Sequence, residues 1–183
     1  MKIYIIRHGQ TDWNVQRKIQ GTSDIELNST GIKQSEEARK IVKELELDFI
    51  ICSPLKRARK TAEILNKDKN LEIIYDESFS ERNFGNYEGF VIKKDSEDIY
   101  NSQALFDLNL DLDINNVEPI SKVLERVTKR LDEIKDKYNE KNILIVTHGG
   151  VSRAINAYFN GIPEDGIIIS ANLDNCEIRE FDV

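Results

Sequence analysis

The stretch Ile-Tyr-Ile-Ile-Arg-His-Gly-Gln-Thr at residues 3–11 sets an apolar, β-branched run directly against an arginine, a histidine and a glycine. The same change occurs in Asn-Ile-Leu-Ile-Val-Thr-His-Gly-Gly at residues 142–150, and these two segments contain both histidines of the chain. Short apolar runs of this kind are typical of buried strands in a parallel sheet. We therefore expect two parallel strands that each end at a histidine.

Apolar runs alternate with longer segments of helical period along the rest of the chain, which is the pattern of an α/β fold. Further strands are predicted at residues 49–53, 71–75 and 176–183. Helices are predicted at residues 30–45, 53–66, 118–138 and 149–161. The sequence therefore predicts a three-layer α/β/α fold, with a mainly parallel central sheet flanked by helices.

The predicted helices carry start signals and apolar faces. Asn28 or Thr30 is expected to cap the first helix, and Ser53 with Pro54 is expected to begin the second, because these residue types are favoured at helix starts. The residues expected on the buried face of the first helix are Ile32, Ala38, Ile41, Val42 and Leu45. The stripe expected in the core from the third helix is Ile120, Val123, Val127, Leu131, Ile134 and Tyr138.

The length of 183 residues predicts a single domain over residues 1–183, with one irregular segment at about 86–117. Long irregular connections often form lids, so we interpret this segment as a flap over a site. Its cations from Phe90 onward are only Lys93 and Lys94, so a second phosphate or a carboxylate is not expected there, which counts against a phosphoglycerate substrate. The aromatic and apolar residues expected to cover a leaving group are Phe90, Tyr100, Leu105 and Phe106.

Composition excludes several classes of function. A formal net charge of -7 argues against nucleic-acid binding, which normally needs a basic face. No apolar run approaches the length of a membrane span, and the first apolar run is too short for a signal peptide. Cys52 and Cys176 are interpreted as free thiols, which favours a cytoplasmic protein. The sequence leaves the oligomeric state open.

The two histidines mark a candidate ligand site. Ligands of α/β sheets bind at the carboxyl ends of the strands, so His8 and His148 are expected to face one pocket. Gly149 lets the backbone come close to a ligand there. Arg7 and Arg57 add groups that grip a phosphoryl group. A two-histidine metal site is a weaker alternative, because no carboxylate or thiol lies at ligand spacing and the arginines would repel a cation.

Four segments carry a resemblance to a known family. They are Arg-His-Gly-Gln-Thr at 7–11, Ser-Pro-Leu-Lys-Arg-Ala-Arg-Lys-Thr-Ala at 53–62, Glu-Arg-Asn-Phe-Gly-Asn-Tyr-Glu-Gly at 81–89 and Thr-His-Gly-Gly at 147–150. In this order they resemble the signature motifs of the histidine phosphatase superfamily, also called the phosphoglycerate mutase-like family. Residues 13–31 and 175–178 also resemble family segments.

The resemblance implies a phosphohistidine mechanism on a small phosphorylated metabolite, without a metal or another cofactor. It makes His8 the nucleophile and Glu81 the acid that protonates the leaving oxygen and then activates water. Composition alone does not separate Glu81 from Glu88, which flanks the same turn. The groups implied around the phosphate and substrate are Arg7, Arg57, His148, Asn14, Gln20 and Gly21. Arg59 matches no catalytic position.

The short flap and the early end of the chain favour hydrolysis over mutase activity, because the cofactor-dependent mutases of this family are longer. The segment Val-Glu-Pro-Ile-Ser-Lys at 117–122 departs from the Gly-Glu-Ser pattern that is frequent in the family, and only Glu118 fits it. Among small bacterial members of the family, the size and motifs resemble those of α-ribazole phosphatases and broad-specificity phosphatases, and the sequence leaves the choice between these two open. A mutase-type phosphotransferase and a non-catalytic phosphate-binding module are the alternatives.

Overall fold

The computed structural model describes residues 1–91, 104–110 and 116–183. Its strands are β1 (Lys2–Arg7), β2 (Phe49–Cys52), β3 (Glu72–Tyr75), β4 (Ile143–Thr147) and β5 (Ile178–Asp182). Its helices are α1 (Asp12–Val15), α2 (Ser29–Glu44), α3 (Lys56–Leu65), α4 (Ile120–Lys137) and α5 (Gly149–Asn160). Short 3-10 turns occur at Asn66–Asp68, Glu77–Phe79, Gly85–Tyr87, Ala104–Phe106 and Ile168–Ala171.

The five strands form one sheet in the order β3-β2-β4-β1-β5. β1, β2, β3 and β4 run parallel, and β5 pairs antiparallel with β1 at the edge. β1 and β4 are neighbours, with Ile3 opposite Ile143 and Arg7 opposite Thr147. The predicted mainly parallel sheet is confirmed, and it brings the ends of the two histidine-bearing strands to the same place.

Alternate residues of the strands pack into two separate cores, because successive side chains of a strand point to opposite faces of the sheet. Ile5 and Ile145 pack in one core with the apolar stripe of α4 and with α5. Ile6 and Val146 pack in the other core with α2 and α3. Helices therefore cover both faces, and the predicted three-layer arrangement is confirmed.

The buried face of α2 differs from the prediction. Ile32 and Ile41 are 41% and 58% exposed. The buried residues of α2 are Gly31, Ser35, Ala38 and Val42. A side chain at Gly31 would collide with the backbone of Gln10, so this helix packs through its small residues and turns its isoleucines outward.

The starts of α2 and α3 test the predicted caps. Asn28 accepts a hydrogen bond from the Gly31 N–H at 2.9 Å, which selects it over Thr30 as the cap of α2. The prediction for α3 is wrong, because this helix begins at Lys56 and has no cap from its own N-cap side chain. The Asp24 carboxylate accepts the Lys56 N–H instead, at 2.7 Å.

The predicted flap is described only in part, since Lys93, Lys94 and Tyr100 lie outside the described residues. Leu105 and Phe106 are buried in the core that includes α4. Phe90 is 62% exposed. Among the residues that the structure describes, no helix has both the length and the apolar character needed to cross a bilayer.

Candidate active site

His8 and His148 lie side by side at the carboxyl ends of neighbouring strands. Arg7 of β1 is opposite Thr147 of β4, so the residue that follows each of them leaves the sheet at the same edge. The two imidazole ring centres are 5.1 Å apart. Both histidines are buried, at 2% and 0% exposure. The sheet thus brings together two residues that are separated by most of the chain.

The hydrogen bonds of His8 define which ring nitrogen carries the proton. Nδ1 is 2.7 Å from the Gly9 carbonyl oxygen, which only accepts, so Nδ1 holds the proton and donates it. Nε2 is 3.2 Å from Arg57 Nε, which only donates, so Nε2 carries the lone pair. The ring is therefore a neutral imidazole whose Nε2 has a lone pair available for nucleophilic attack.

The surroundings of both rings favour this neutral form. Burial lowers the pKa of His8 well below its ordinary value, and the charges of Arg57 and Arg7 lower it further. The hydrogen bond to the Gly9 carbonyl opposes this shift in the pKa of His8 without reversing it. Burial and the same arginines also lower the pKa of His148 well below its ordinary value.

A pH titration by NMR tests this electrostatic picture. A lowered pKa means that more acid is needed to protonate a ring, so both histidines are expected to remain neutral at pH 6.5, the ordinary midpoint. The urea-unfolded chain is the reference, and the pKa of its histidine rings is expected to be about 6.5. A ring in the folded protein that titrates at or above this value would contradict the prediction.

Arg57 is fully buried in the first turn of α3, where it connects the nucleophile to a neighbouring loop. Its Nη1 donates to the Ser23 carbonyl at 2.8 Å and its Nη2 to the Gly21 carbonyl at 2.7 Å. Burial lowers the pKa of Arg57 to about 10, which leaves the group charged at neutral pH. All three types of guanidinium nitrogen are thus held, and Nε faces His8.

Glu88 clamps this loop from the other side. Its carboxylate accepts hydrogen bonds from the backbone N–H groups of Thr22 and Ser23, at 2.7 and 2.8 Å, and from both hydroxyls. Burial alone would raise the pKa of Glu88, but the hydrogen bonds outweigh it and leave that pKa below its ordinary value. Glu88 therefore remains a carboxylate and fixes the loop whose carbonyls bind Arg57.

Two buried nitrogen atoms at the site have no hydrogen-bond partner within the described part of the chain. They are Nε of Arg7 and Nδ1 of His148. Arg7 uses Nη1 to donate to the Leu173 carbonyl at 2.8 Å, and His148 Nε2 is 2.7 Å from Ser53 Oγ. Buried polar groups are normally paired, so each of these nitrogens offers a contact that a ligand can complete.

Glu81 lies at the opening of α5. Both of its carboxylate oxygens are 3.1 Å from the Gly150 N–H. A Cβ atom at Gly150 would lie 2.5 Å from one of these oxygens, so only glycine permits this approach. Glu81 lines the cavity while Glu88 is occupied by the loop, and this contact pattern separates the two carboxylates that composition left equivalent.

These groups surround a cavity of about 390 Å³. This volume is within the usual range for small-molecule sites, about 300–1,000 Å³. The sequence-predicted residues that line it are Arg7, His8, Asn14, Gln20, Gly21, Arg57, Glu81 and Gly149. His148 is completely buried beside them.

Asn14 and Gln20 are both fixed through Thr11, the N-cap residue of α1. Asn14 Oδ1 accepts the Thr11 N–H at 3.0 Å, which leaves its amide hydrogens for a ligand. Gln20 Oε1 accepts a hydrogen bond from Thr11 Oγ1 at 3.0 Å. The carbonyl of Gly21 serves Arg57, so this glycine contributes by positioning an arginine.

Three further cations line the cavity that the sequence analysis did not assign: Arg17, Lys18 and Arg153. Arg153 Nε donates to the Ile169 carbonyl at 3.0 Å, and its guanidinium lies 4.0 Å from the centre of the Phe106 ring. Burial lowers the pKa of Arg153 to about 10. These three cations come from outside the flap, whose own lysines, Lys93 and Lys94, lie outside the described residues.

Arg59 lies away from the cavity. Its guanidinium is 4.7 Å from the centre of the Tyr75 ring, and it lines a separate surface groove with Lys60 and Glu63. The described residues contain no group of three or more histidine, cysteine, aspartate or glutamate side chains arranged to hold a metal ion.

Comparison with known proteins places this geometry in a family. The model of the histidine phosphatase superfamily (branch 1) matches residues 3–183. The uncharacterized phosphatase PhoE of Bacillus subtilis is 35% identical over 185 residues, covering 97% of this chain and 89% of that protein. The probable phosphoglycerate mutase GpmB of Shigella boydii is 32% identical, covering 100% of this chain and 85% of that protein.

A solved structure of similar fold is a phosphoserine phosphatase mutant from Entamoeba histolytica in complex with phosphoserine. It is 30% identical, covers 99% of this chain and 90% of its own, and superposes with a TM-score of 0.84. Phosphoserine phosphatase of that organism has also been solved with 3-phosphoglyceric acid, at 28% identity, 99% and 90% coverage and a TM-score of 0.84. The chain described here therefore belongs to branch 1 of the histidine phosphatase superfamily, and it is a phosphatase.

Proposed function

We propose that this phosphatase hydrolyses small phosphomonoesters through a covalent phosphohistidine on Nε2 of His8. The observation that carries the proposal is the pair of hydrogen bonds on the His8 ring, because they place the proton on Nδ1 and the lone pair on Nε2. Histidine attacks only through an unprotonated nitrogen. The surrounding arginines neutralise the incoming phosphate, which supports transfer by positioning and electrostatics.

In the first step, the Nε2 lone pair attacks phosphorus, the N–P bond forms and the ester P–O bond breaks. Glu81 in its protonated form donates its proton to the leaving oxygen. In the second step, a water attacks phosphorus, Glu81 takes a proton from that water, and the N–P electron pair returns to Nε2. Arg7, Arg57 and His148 bind the equatorial oxygens in this scheme. Their further partners are Asn14, Gln20 and the backbone of Gly149.

Burst kinetics with Glu81→Gln test both the intermediate and the acid–base assignment. With p-nitrophenyl phosphate the leaving group departs without much help from an acid, whereas the second step still needs a base. We therefore expect a rapid burst of about one equivalent of nitrophenolate followed by turnover slowed about 10²- to 10³-fold. The measurement is stopped-flow absorbance with EDTA present.

Glu88→Gln is the matched control, because it makes the same chemical change on the same turn. It is expected to slow turnover through the loop that holds Arg57, without a burst, since both proton transfers remain intact. Wild-type turnover in Glu81→Gln, or a burst in Glu88→Gln of equal size, would remove Glu81 from the acid–base role.

The alternative of phosphoryl transfer to a second hydroxyl is kept because one relative is named a probable phosphoglycerate mutase. The two reactions differ in product. With 3-phosphoglycerate as substrate, a phosphatase releases inorganic phosphate, whereas a mutase forms 2-phosphoglycerate. We propose that inorganic phosphate is the main product. We also propose that the protein acts in the cytoplasm, because free thiols such as Cys176 persist there.

The cations of the cavity support a finer assignment of the substrate class. Arg17, Lys18 and Arg153 line it beyond the two arginines near His8, and Glu81 is the only carboxylate among the described lining residues. A cavity this basic in a chain of net charge -7 favours a ligand with two anionic groups. We propose a small phosphocarboxylate, a class that includes the phosphoserine and 3-phosphoglycerate bound by the Entamoeba enzyme.

O-Phosphoserine and O-phosphoethanolamine test this assignment, because they differ only in the carboxylate. We expect kcat/KM to be about tenfold or more higher for phosphoserine, the usual effect of one hydrogen bond to a charged group. Arg153→Met keeps an unbranched side chain beside Phe106 but removes the guanidinium, and it should bring the two values together. An unchanged preference in Arg153→Met, or no preference in the wild type, would exclude this role for Arg153.

A further inference from the structure

We propose that Ser53 is a positioning residue that fixes the proton of His148 on Nδ1, so that His148 donates a hydrogen bond to the phosphoryl group while it stays neutral. The inference rests on the proposed function, since it concerns how the same site holds phosphate. Ser53 and His148 are both 0% exposed, and Ser53 Oγ lies 2.7 Å from His148 Nε2.

The hydrogen-bond arrangement around Ser53 permits one assignment that satisfies both Ser53 Oγ and His148 Nε2. The Leu55 N–H donates to Ser53 Oγ at 3.3 Å, so this oxygen already acts as an acceptor. Its own hydroxyl proton then goes to the lone pair of His148 Nε2. A neutral imidazole has one proton, which must sit on Nδ1 when Nε2 is the acceptor.

The opposite tautomer leaves two groups unsatisfied. If Nε2 carried the proton and donated it to Ser53 Oγ, the serine hydroxyl proton would have no acceptor among the contacts of the described residues. Nδ1 would then present a lone pair, which repels an anionic oxygen. With a phosphoryl oxygen bound at Nδ1, the first assignment pairs every donor, whereas the opposite tautomer leaves the buried serine hydroxyl unpaired, so the first assignment is favoured.

The backbone holds Ser53 where this contact is required. Ser53 directly follows β2, and its N–H donates to the Val146 carbonyl of β4 at 3.0 Å. His148 lies two residues after Val146 and directly follows β4. Ser53 and His148 therefore lie next to each other at the ends of two adjacent strands. Because α3 starts only at Lys56, Ser53 is free of the capping role that its sequence context predicts.

Because His148 is neutral, its tautomer decides which ring nitrogen can donate a hydrogen bond. A protonated ring would donate from both nitrogens whatever Ser53 does, but burial and the charge of Arg57 lower the pKa of His148. A neutral ring has one proton to offer. His148 Nδ1 has no partner within the described residues, and a phosphoryl oxygen supplies the acceptor that it lacks.

Long-range ¹H–¹⁵N NMR on the imidazole rings reads the proton position directly. The chain has only two histidines, so a single His148→Gln spectrum assigns both rings. In the wild type with inorganic phosphate, we expect a protonated Nδ1 and an unprotonated Nε2 for His148. A protonated Nε2 on His148 in the wild type would overturn the proposal, irrespective of any rate.

Three variants connect the tautomer to function. Ser53→Ala is expected to lose the single tautomer of His148 and to weaken phosphate binding about tenfold, as expected for one lost hydrogen bond. Ser53→Thr keeps the hydroxyl and should restore both the tautomer and the affinity. Ser35→Ala removes another completely buried serine hydroxyl, one that bonds to the Gly31 carbonyl at 2.8 Å, and should change neither.

Each result has one meaning. Weaker binding in Ser53→Ala with an unchanged His148 tautomer would show a structural effect and overturn the proposal. If Ser53→Ala does not fold, the spectra of the wild type and of Ser53→Thr still decide the question. A protonated Nδ1 in an enzyme that forms no phosphohistidine would contradict the proposed function while this inference stands.

Discussion

His8→Ala is expected to reduce the hydrolysis of p-nitrophenyl phosphate by about 10⁴- to 10⁶-fold, as removal of a nucleophile does in other covalent enzymes. The Nε2 lone pair of His8 faces Arg57 at the cavity, so alanine leaves no imidazole nitrogen there to accept the phosphoryl group. Phosphate binding should survive, because Arg7 and Arg57 remain. Steady-state kinetics with EDTA present and phosphate titration by calorimetry measure the two effects.

A direct chemical test accompanies the rate measurement. Wild-type enzyme quenched in alkali after mixing with substrate should carry phosphate on His8, because phosphohistidine is stable to base and labile to acid, and His8→Ala should carry none. Mass spectrometry of peptides locates the label. Activity that persists in His8→Ala, or a label on another residue, would contradict the covalent mechanism. Activity abolished by EDTA in the wild type would contradict a metal-independent route.

Arg57→Lys is expected to reduce kcat/KM by about 10²- to 10³-fold although the charge is retained. The guanidinium donates from three nitrogens in different directions, to His8 Nε2 and to the carbonyls of Ser23 and Gly21. An ammonium group concentrates its donors on one atom and has no planar fork. The lysine therefore loses its contacts either with the loop carbonyls or with His8, and the reduced kcat/KM measures that loss.

Arg59→Lys provides the matched control two residues further along α3. Its side chain stacks over Tyr75 outside the cavity, so kcat/KM should stay within about twofold of the wild type, the usual effect of a surface substitution. Comparable losses in both variants would mean that the substitution acts through helix α3 as a whole. The catalytic contribution assigned to Arg57 would then be wrong.

Much of the fold follows from sequence because the strand signals and the parallel topology reinforce one another. The runs before His8 and His148 predict buried parallel strands, which places their ends at the same edge of the sheet, and the structure shows that the two strands are neighbours. The buried face of α2 could not be predicted from periodicity. The close approach of Gly31 to Gln10, a contact between distant segments, decides which residues of that helix fit.

The site shows the same division between local and tertiary information. Ser53 has the local features of a helix cap, but His148, which directly follows β4, engages its hydroxyl. Arg153 was missed because an arginine on a helix usually faces solvent. The available signal was its position one turn after Gly149, on the helical face that meets the site. Glu81 and Glu88 are separated only by what each carboxylate contacts.

The hydrogen bond from Arg57 Nε to His8 Nε2 also protects the nucleophile from acid. A proton on Nε2 would face the Nε–H of Arg57, so this contact disfavours protonation of the attacking atom. The carbonyls of Gly21 and Ser23 anchor the same guanidinium. The loop that orients this arginine therefore also helps to keep the attacking nitrogen in its reactive form.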